Sequence, residues 1–198
     1  GANTVTSGAG VDSFTVSGTG SNSIDAGEGA NTITLNGGTN TVTGGTDADV
    51  VTISSGANVV DAEGGNNTIN LTGGTNTISA GAGADSVTAS GGSNVVALGQ
   101  GNNSVILSAG NNTVTAGTGA DSITASGGTN VIDADAGNNT ITLTGGNNTV
   151  TSGAGVDSFT VSGTGSSSID AGEGANTIIL NGGSNTVTGG TDADVVTI

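Results

Sequence analysis

Apolar residues fall on this chain at a fixed beat. From Val5 through Phe14, Ile24, Ile33, Val42 and Val51 to Val196, a large apolar residue recurs every nine residues, with two steps of ten. Of the twenty-two residues in this series, twenty are Val or Ile and two are Phe. Two positions before each stands an Asn or Asp, with Ser167 the one substitution. Two positions after each comes a second apolar or small residue, such as Val16, Leu35, Ile53 or Leu71. Alternation over four or five positions, rich in β-branched side chains and bounded by Gly, predicts a short strand. The intervening Gly-rich stretches supply corners with positive φ.

Strands this short do not stand alone. Stacking them buries the Val/Ile column as one continuous core. The residue after the column tells two kinds of strand apart. In strands headed by Asn3, Asn22 and Asn40 (sheet A) it is mostly small: Ser7, Ala26, Gly44, Ala62, Ala80. In strands headed by Asp12, Asn31 and Asp49 (sheet B) it is mostly large: Val16, Leu35, Ile53, Leu71, Leu107. This alternation predicts an all-β, parallel β-solenoid with two short strands per 18-residue coil. At ~4.8 Å per stacked strand, about eleven coils make a rod on the order of 50 Å long. Its core is thin and asymmetric, with B side chains reaching toward the A backbone.

A longer period lies above the nonapeptide. Residues 1–53 recur as 146–198, differing only at Ala2/Asn147, Asn22/Ser167, Thr34/Ile179 and Thr39/Ser184. The shift of 145 residues is sixteen nonapeptides and one extra residue, which falls at the same place in each copy. Residues 1–198 therefore read as a single continuous array, a little more than one block of a longer one.

Composition excludes several functions. The chain has 40 Gly, two Phe, and no Trp, Tyr, Pro, Cys, Met, His, Lys or Arg. Low hydrophobicity with high net charge is also a mark of disorder, but the strict periodicity argues against it. With a net charge of −16 and no basic residue, nucleic acid is an unsuitable partner, since phosphate binding needs Lys or Arg. No apolar run approaches membrane-spanning length. Without His, Cys, Lys, Arg or Tyr there is no ordinary base, nucleophile partner or anion clamp. Carboxylate pairs such as Asp47/Asp49 recur by symmetry and mark no unique site, so the chain is expected not to be an enzyme.

The sixteen acids are not spread evenly. Asp12, Asp49, Asp85, Asp121, Asp157 and Asp194 head B strands. Asp25, Asp61, Asp133 and Asp170 end A strands. Glu28, Asp47, Glu63, Asp135, Glu173 and Asp192 lie between. All belong to the A-to-B corner, while B-to-A corners such as Asn36-Gly-Gly-Thr-Asn40 carry none. Carboxylates with corner carbonyls suit a hard, oxygen-seeking ion such as calcium. The other reading is a hydrated acidic edge that keeps rods apart and soluble. On the opposite edge the Asn column of sheet A is expected to form an amide ladder needing no metal.

The acidic corners resemble the repeats-in-toxin (RTX) nonapeptide, G-G-x-G-x-D-x-U-x, with U a large aliphatic residue. The best matches are Gly81-Ala-Gly-Ala-Asp85-Ser-Val87, Gly117-Thr-Gly-Ala-Asp121-Ser-Ile123 and Gly8-Ala-Gly-Val-Asp12-Ser-Phe14. The resemblance implies a parallel β-roll, type I secretion, and calcium held between successive corners by Asp side chains and carbonyls. It places the ligand at Asp12, Asp49, Asp85, Asp121, Asp157 and Asp194; the corner acids Asp25, Asp61, Asp133, Asp170, Glu28 and Asp47 are further metal candidates from their position alone. Asn31, Asn67, Asn103, Asn139 and Asn176 depart from the pattern by standing where every second Asp would be.

Repetition without a unique site points to an extracellular rod: a fibre, sheath, surface layer or adhesin stalk that self-associates. The alternative is a calcium-dependent folding or secretion module of a larger adhesin or toxin. The outer face of sheet B carries Ser or Thr at 17 of 22 positions. Such a face also suits glycans, rod-to-rod packing or ice, although Val50, Asn70 and Ile106 interrupt it.

Overall fold

The computed structural model describes the whole chain, residues 1–198, as a parallel β-solenoid with no helix. Strands of the two sheets alternate from β1 (Asn3–Thr6) and β2 (Ser13–Val16) to β19 (Ser184–Thr188) and β20 (Val195–Thr197). Every strand pairing is parallel, and each strand pairs with the one a coil away. The column residues stay in register throughout: Asn40 opposite Asn58, Asn58 opposite Asn76, Asn76 opposite Asn94.

The structure has twenty strands rather than twenty-two because two of them run through a corner. β4 (Thr32–Thr43) and β5 (Val50–Asp61) each contain a B strand, the neutral corner and an A strand. There the corner of one coil lies on the corner of the next closely enough to continue the ladder, with Asn36 opposite Ser55 and Thr39 opposite Ala57. The acidic corners stack as well. Ala82 N–H donates to Glu63 O at 3.0 Å, and Gln100 N–H to Gly81 O at 3.1 Å.

The inward columns form one core of 33 buried residues, with Phe14, Val16, Leu180 and Val187 packed against it. Burying each Val or Ile contributes about 1.5–3 kcal/mol, so the column supplies what a four-residue strand lacks. The small-A, large-B rule holds, and its exception is informative. Leu98 is the large residue on sheet A, and it is fully buried. On sheet B, Ala89 and Ala125 stand directly below and above Leu107. The large residue on sheet A thus falls in the stretch where sheet B is smallest, as close packing of the core requires.

The two ten-residue steps do not disturb the stack. Asn3 still faces Asn22 and Val5 faces Ile24; Asn148 still faces Ser167 and Val150 faces Ile169. The extra residue is absorbed in the neutral corner, at 17–21 and 162–166.

Candidate metal-binding edge

The two Asx columns are built differently. On sheet A the side chains bond to one another. Asn40 Nδ2 donates to Asn58 Oδ1 at 2.7 Å, Asn58 to Asn76 at 2.9 Å, Asn76 to Asn94 at 2.8 Å and Asn94 to Asn112 at 2.8 Å. The second amide hydrogen goes to the carbonyl three residues earlier, as from Asn94 to Gly91 O at 3.0 Å. This is the expected amide ladder, and it saturates each buried amide. It weakens at Ser167, whose hydroxyl receives Asn148 Nδ2 only at 3.5 Å.

On sheet B the ladder runs from backbone to side chain. The N–H of each column residue donates to Oδ1 of the column residue one coil on. Asn31 donates to Asp49 at 2.7 Å, Asp49 to Asn67 at 2.8 Å, Asn67 to Asp85 at 2.8 Å and Asp85 to Asn103 at 2.9 Å. The same bonds continue through Asp121, Asn139, Asp157 and Asn176 to Asp194. One oxygen of every column residue is therefore used identically, whether it belongs to Asn or Asp.

The second atom separates them. In the Asn it is an amide nitrogen, and it donates to corner carbonyls. Asn31 reaches Gly44 O at 3.3 Å, Asn67 reaches Ala80 O at 3.1 Å and Asn103 reaches Ala116 O at 3.2 Å. In the Asp it is an oxygen. Oδ2 of Asp49, Asp85, Asp121 and Asp157 is buried without any hydrogen-bond partner. Gly44 shows what surrounds one of them: a β-carbon there would lie 2.3 Å from Asp49 Oδ2 and 3.1 Å from Ala62 O. At Asp49 two acceptor oxygens thus converge with no donor between them. Such an arrangement costs free energy unless a cation or a proton enters it.

Electrostatics agrees. Burial pushes the carboxyls of Asp49, Asp85, Asp121 and Asp157 above the ordinary carboxylate value; the N–H bonds from Asn31, Asn67, Asn103 and Asn139, and at Asp157 the neighbouring Ser152 hydroxyl, offset this only in part. Asp47 and Glu28 add like-charge repulsion at Asp49.

The other sequence-derived candidates sit elsewhere. Asp25, Asp61, Asp133 and Asp170 are exposed, and each caps its own corner by accepting an N–H from two residues on, at 3.2 Å in every case. Asp47 accepts the N–H of Gly29 at 2.9 Å, and Glu28 accepts the hydroxyl of Thr46. No three carboxylates gather into one cluster. At the first coil Asp12 Oδ2 has a donor, the Ser7 hydroxyl at 2.6 Å, and both Asp12 and Asp194 are only half-buried. Sequence reasoning did not single out Ser7; its signal is a hydroxyl in a column position otherwise filled by Gly, Ala or Leu, apart from its repeat counterpart Ser152.

The residues present fit calcium. The unpartnered carboxylate oxygens and the corner carbonyls are hard oxygen donors of the kind that ion takes, and Asp49, Asp85, Asp121 and Asp157 are the buried residues that would hold it. When bound, it supplies the positive charge that the sequence lacks along this edge.

Fold and edge together define a parallel β-solenoid whose stacked corners offer oxygen sites for a cation. The family model of the RTX calcium-binding nonapeptide repeat matches residues 16–51, 54–77, 71–105, 107–141, 133–160 and 161–196. The chain belongs to this family of calcium-binding repeat proteins. No curated protein matches the chain.

Proposed function

We propose that the chain is an extracellular structural or adhesive rod, part of a filament, sheath, surface layer or adhesin stalk, stiffened by calcium along its acidic edge. The observation that carries this reading is the unbroken register of the stack, in which each coil presents the next with the same backbone and Asx groups. A design of this kind delivers length and regular spacing rather than one special pocket. A secreted location accords with the family and with calcium as the partner, since that ion is abundant outside cells. The hydroxyl-rich outer face of sheet B supports self-association beside the rod.

A second reading is favoured by the family match: a calcium-triggered folding and secretion module within a larger secreted protein. Chelation separates the two. A rod held by its Asn ladder keeps its β circular-dichroism signal in EDTA, whereas a module that folds on calcium loses it. Electron microscopy in calcium then tests the first reading, which expects rods or lateral arrays. A chain that stays monomeric with calcium present and absent sinks it.

A further inference from the structure

The sheet-B column holds a code that the family pattern alone does not contain. Asp and Asn alternate strictly along it: Asn31, Asp49, Asn67, Asp85, Asn103, Asp121, Asn139, Asp157, Asn176. Their first oxygens are interchangeable, since each accepts one N–H from the coil before. Only the second atom differs. In Asn67 it is a donor that satisfies Ala80 O, while in Asp85 it is a buried acceptor with nothing to accept.

We propose that this edge takes one calcium ion for every two coils, at Asp49, Asp85, Asp121 and Asp157, and that the amide of each intervening Asn stands where an ion would otherwise be needed. The inference rests on the calcium reading above and adds to it the count, the positions and the role of the Asn.

The chemistry is one of charge and donor balance. A corner with carbonyl oxygens and a carboxylate needs something electropositive among them. An Asn amide provides two N–H hydrogens and no net charge, so its corner is complete without metal. An Asp provides one more oxygen and a negative charge, so its corner is complete only with a cation. Alternation places the cation-requiring corners two coils apart, about 9.6 Å at the strand spacing of a sheet. At that separation the repulsion between neighbouring divalent ions is about half that of ions on successive coils. The Asn-bearing corners hold the stack in register between the ions.

This assigns opposite consequences to similar substitutions. Asp85→Asn removes a ligand but gives the corner the amide that Asn67 and Asn103 already carry. The metal-free rod should therefore melt a few degrees higher, while the ion count falls. Asp61→Asn, at an exposed corner-capping acid, should change neither appreciably.

The test is equilibrium dialysis of the purified 198-residue chain against calcium chloride, with metal counted by emission spectrometry and melting followed in EDTA. The expected result is four ions per chain, one for each unpartnered carboxylate oxygen. Asp85→Asn should lower the count by one and raise the EDTA melting temperature; Asp61→Asn should leave the count at its starting value. An ion on every coil, or a count that Asp85→Asn leaves unchanged, overturns this inference and leaves the calcium reading standing. A folded chain that binds no calcium at all overturns both.

Discussion

Asn67 donates its backbone N–H to Oδ1 of Asp85 at 2.8 Å, while Oδ2 of the same carboxylate is buried with no partner. One oxygen is structural in the same way as its Asn neighbours' oxygens. The other is left for something the chain does not supply. The behaviour of the rod in acid, in chelator and after substitution turns on this division.

Acid should stabilise the metal-free rod. The folded-state pKa of Asp49, Asp85, Asp121 and Asp157 is raised above the ordinary value of 3.8, chiefly by burial. A raised carboxyl contributes stability that is complete below the unfolded value and is lost as pH rises through the folded one. In EDTA the melting temperature should therefore be higher at about pH 4 than at about pH 7.5. Calcium binds only ionised carboxylates, so it should raise the melting temperature more at the higher pH. Melting that is higher at neutral pH in EDTA would contradict the geometry of the Asp corners.

The Asn ladder should be costly to interrupt in its middle and cheap to repair at its flaw. Asn94 accepts from Asn76 and donates to Asn112 and to Gly91 O. Asn94→Ala strands buried partners on both sides and should cost about 3 kcal/mol. Ser167→Asn restores the residue found at the equivalent Asn22, which accepts from Asn3 at 2.7 Å and donates to Asn40 at 2.8 Å. That substitution should add about 1 kcal/mol. Denaturant melts of the two variants check both signs.

Leu98→Ala should destabilise by about 2–5 kcal/mol. Ala80 and Ala116, which hold the same column position one coil before and one coil after it, are too small to fill the space, so the cavity stays open. A loss well under 1 kcal/mol in urea unfolding would show that the coils collapse around it.

Gly81 should resist even alanine. Its φ is +91°, and a β-carbon there would lie 1.3 Å from the Glu63 carbonyl oxygen of the coil below. The acidic corners would have to separate, at a cost of about 2–4 kcal/mol. Gly8→Ala, where nothing lies within 4 Å, serves as the control and should be nearly neutral.

Much of this architecture is legible in the residues themselves. The Val/Ile beat gives the strands, the small–large alternation gives two sheets, and the unbroken Asn column of sheet A gives its ladder. The acidic edge is legible as a composition and, through the repeat motif, as a row of Asp, but not as a geometry. The repeat motif sets Asp85 apart from Asp61, but only the structure shows that Asp61 is exposed and caps its own turn, while Asp85 is buried under the next coil. What separates them is the path of the backbone through the corner. Glu63 and Asp135 follow it with φ near +60°, a conformation uncommon outside Gly and not signalled by a Glu. The backbone-to-Oδ1 ladder of sheet B is hidden for the same reason, because it depends on which way each corner's N–H points.

The 145-residue block spans eight coils and one absorbed residue. Eight is an even number, and the acidic edge has a period of two coils. The second copy therefore enters in phase, with Asp157 at the position of Asp12 and Asp194 at the position of Asp49. A block of seven or nine coils would bring two charged corners, or two neutral ones, together at every junction. Long and short periods are commensurate here, so the array can lengthen by whole blocks without a seam.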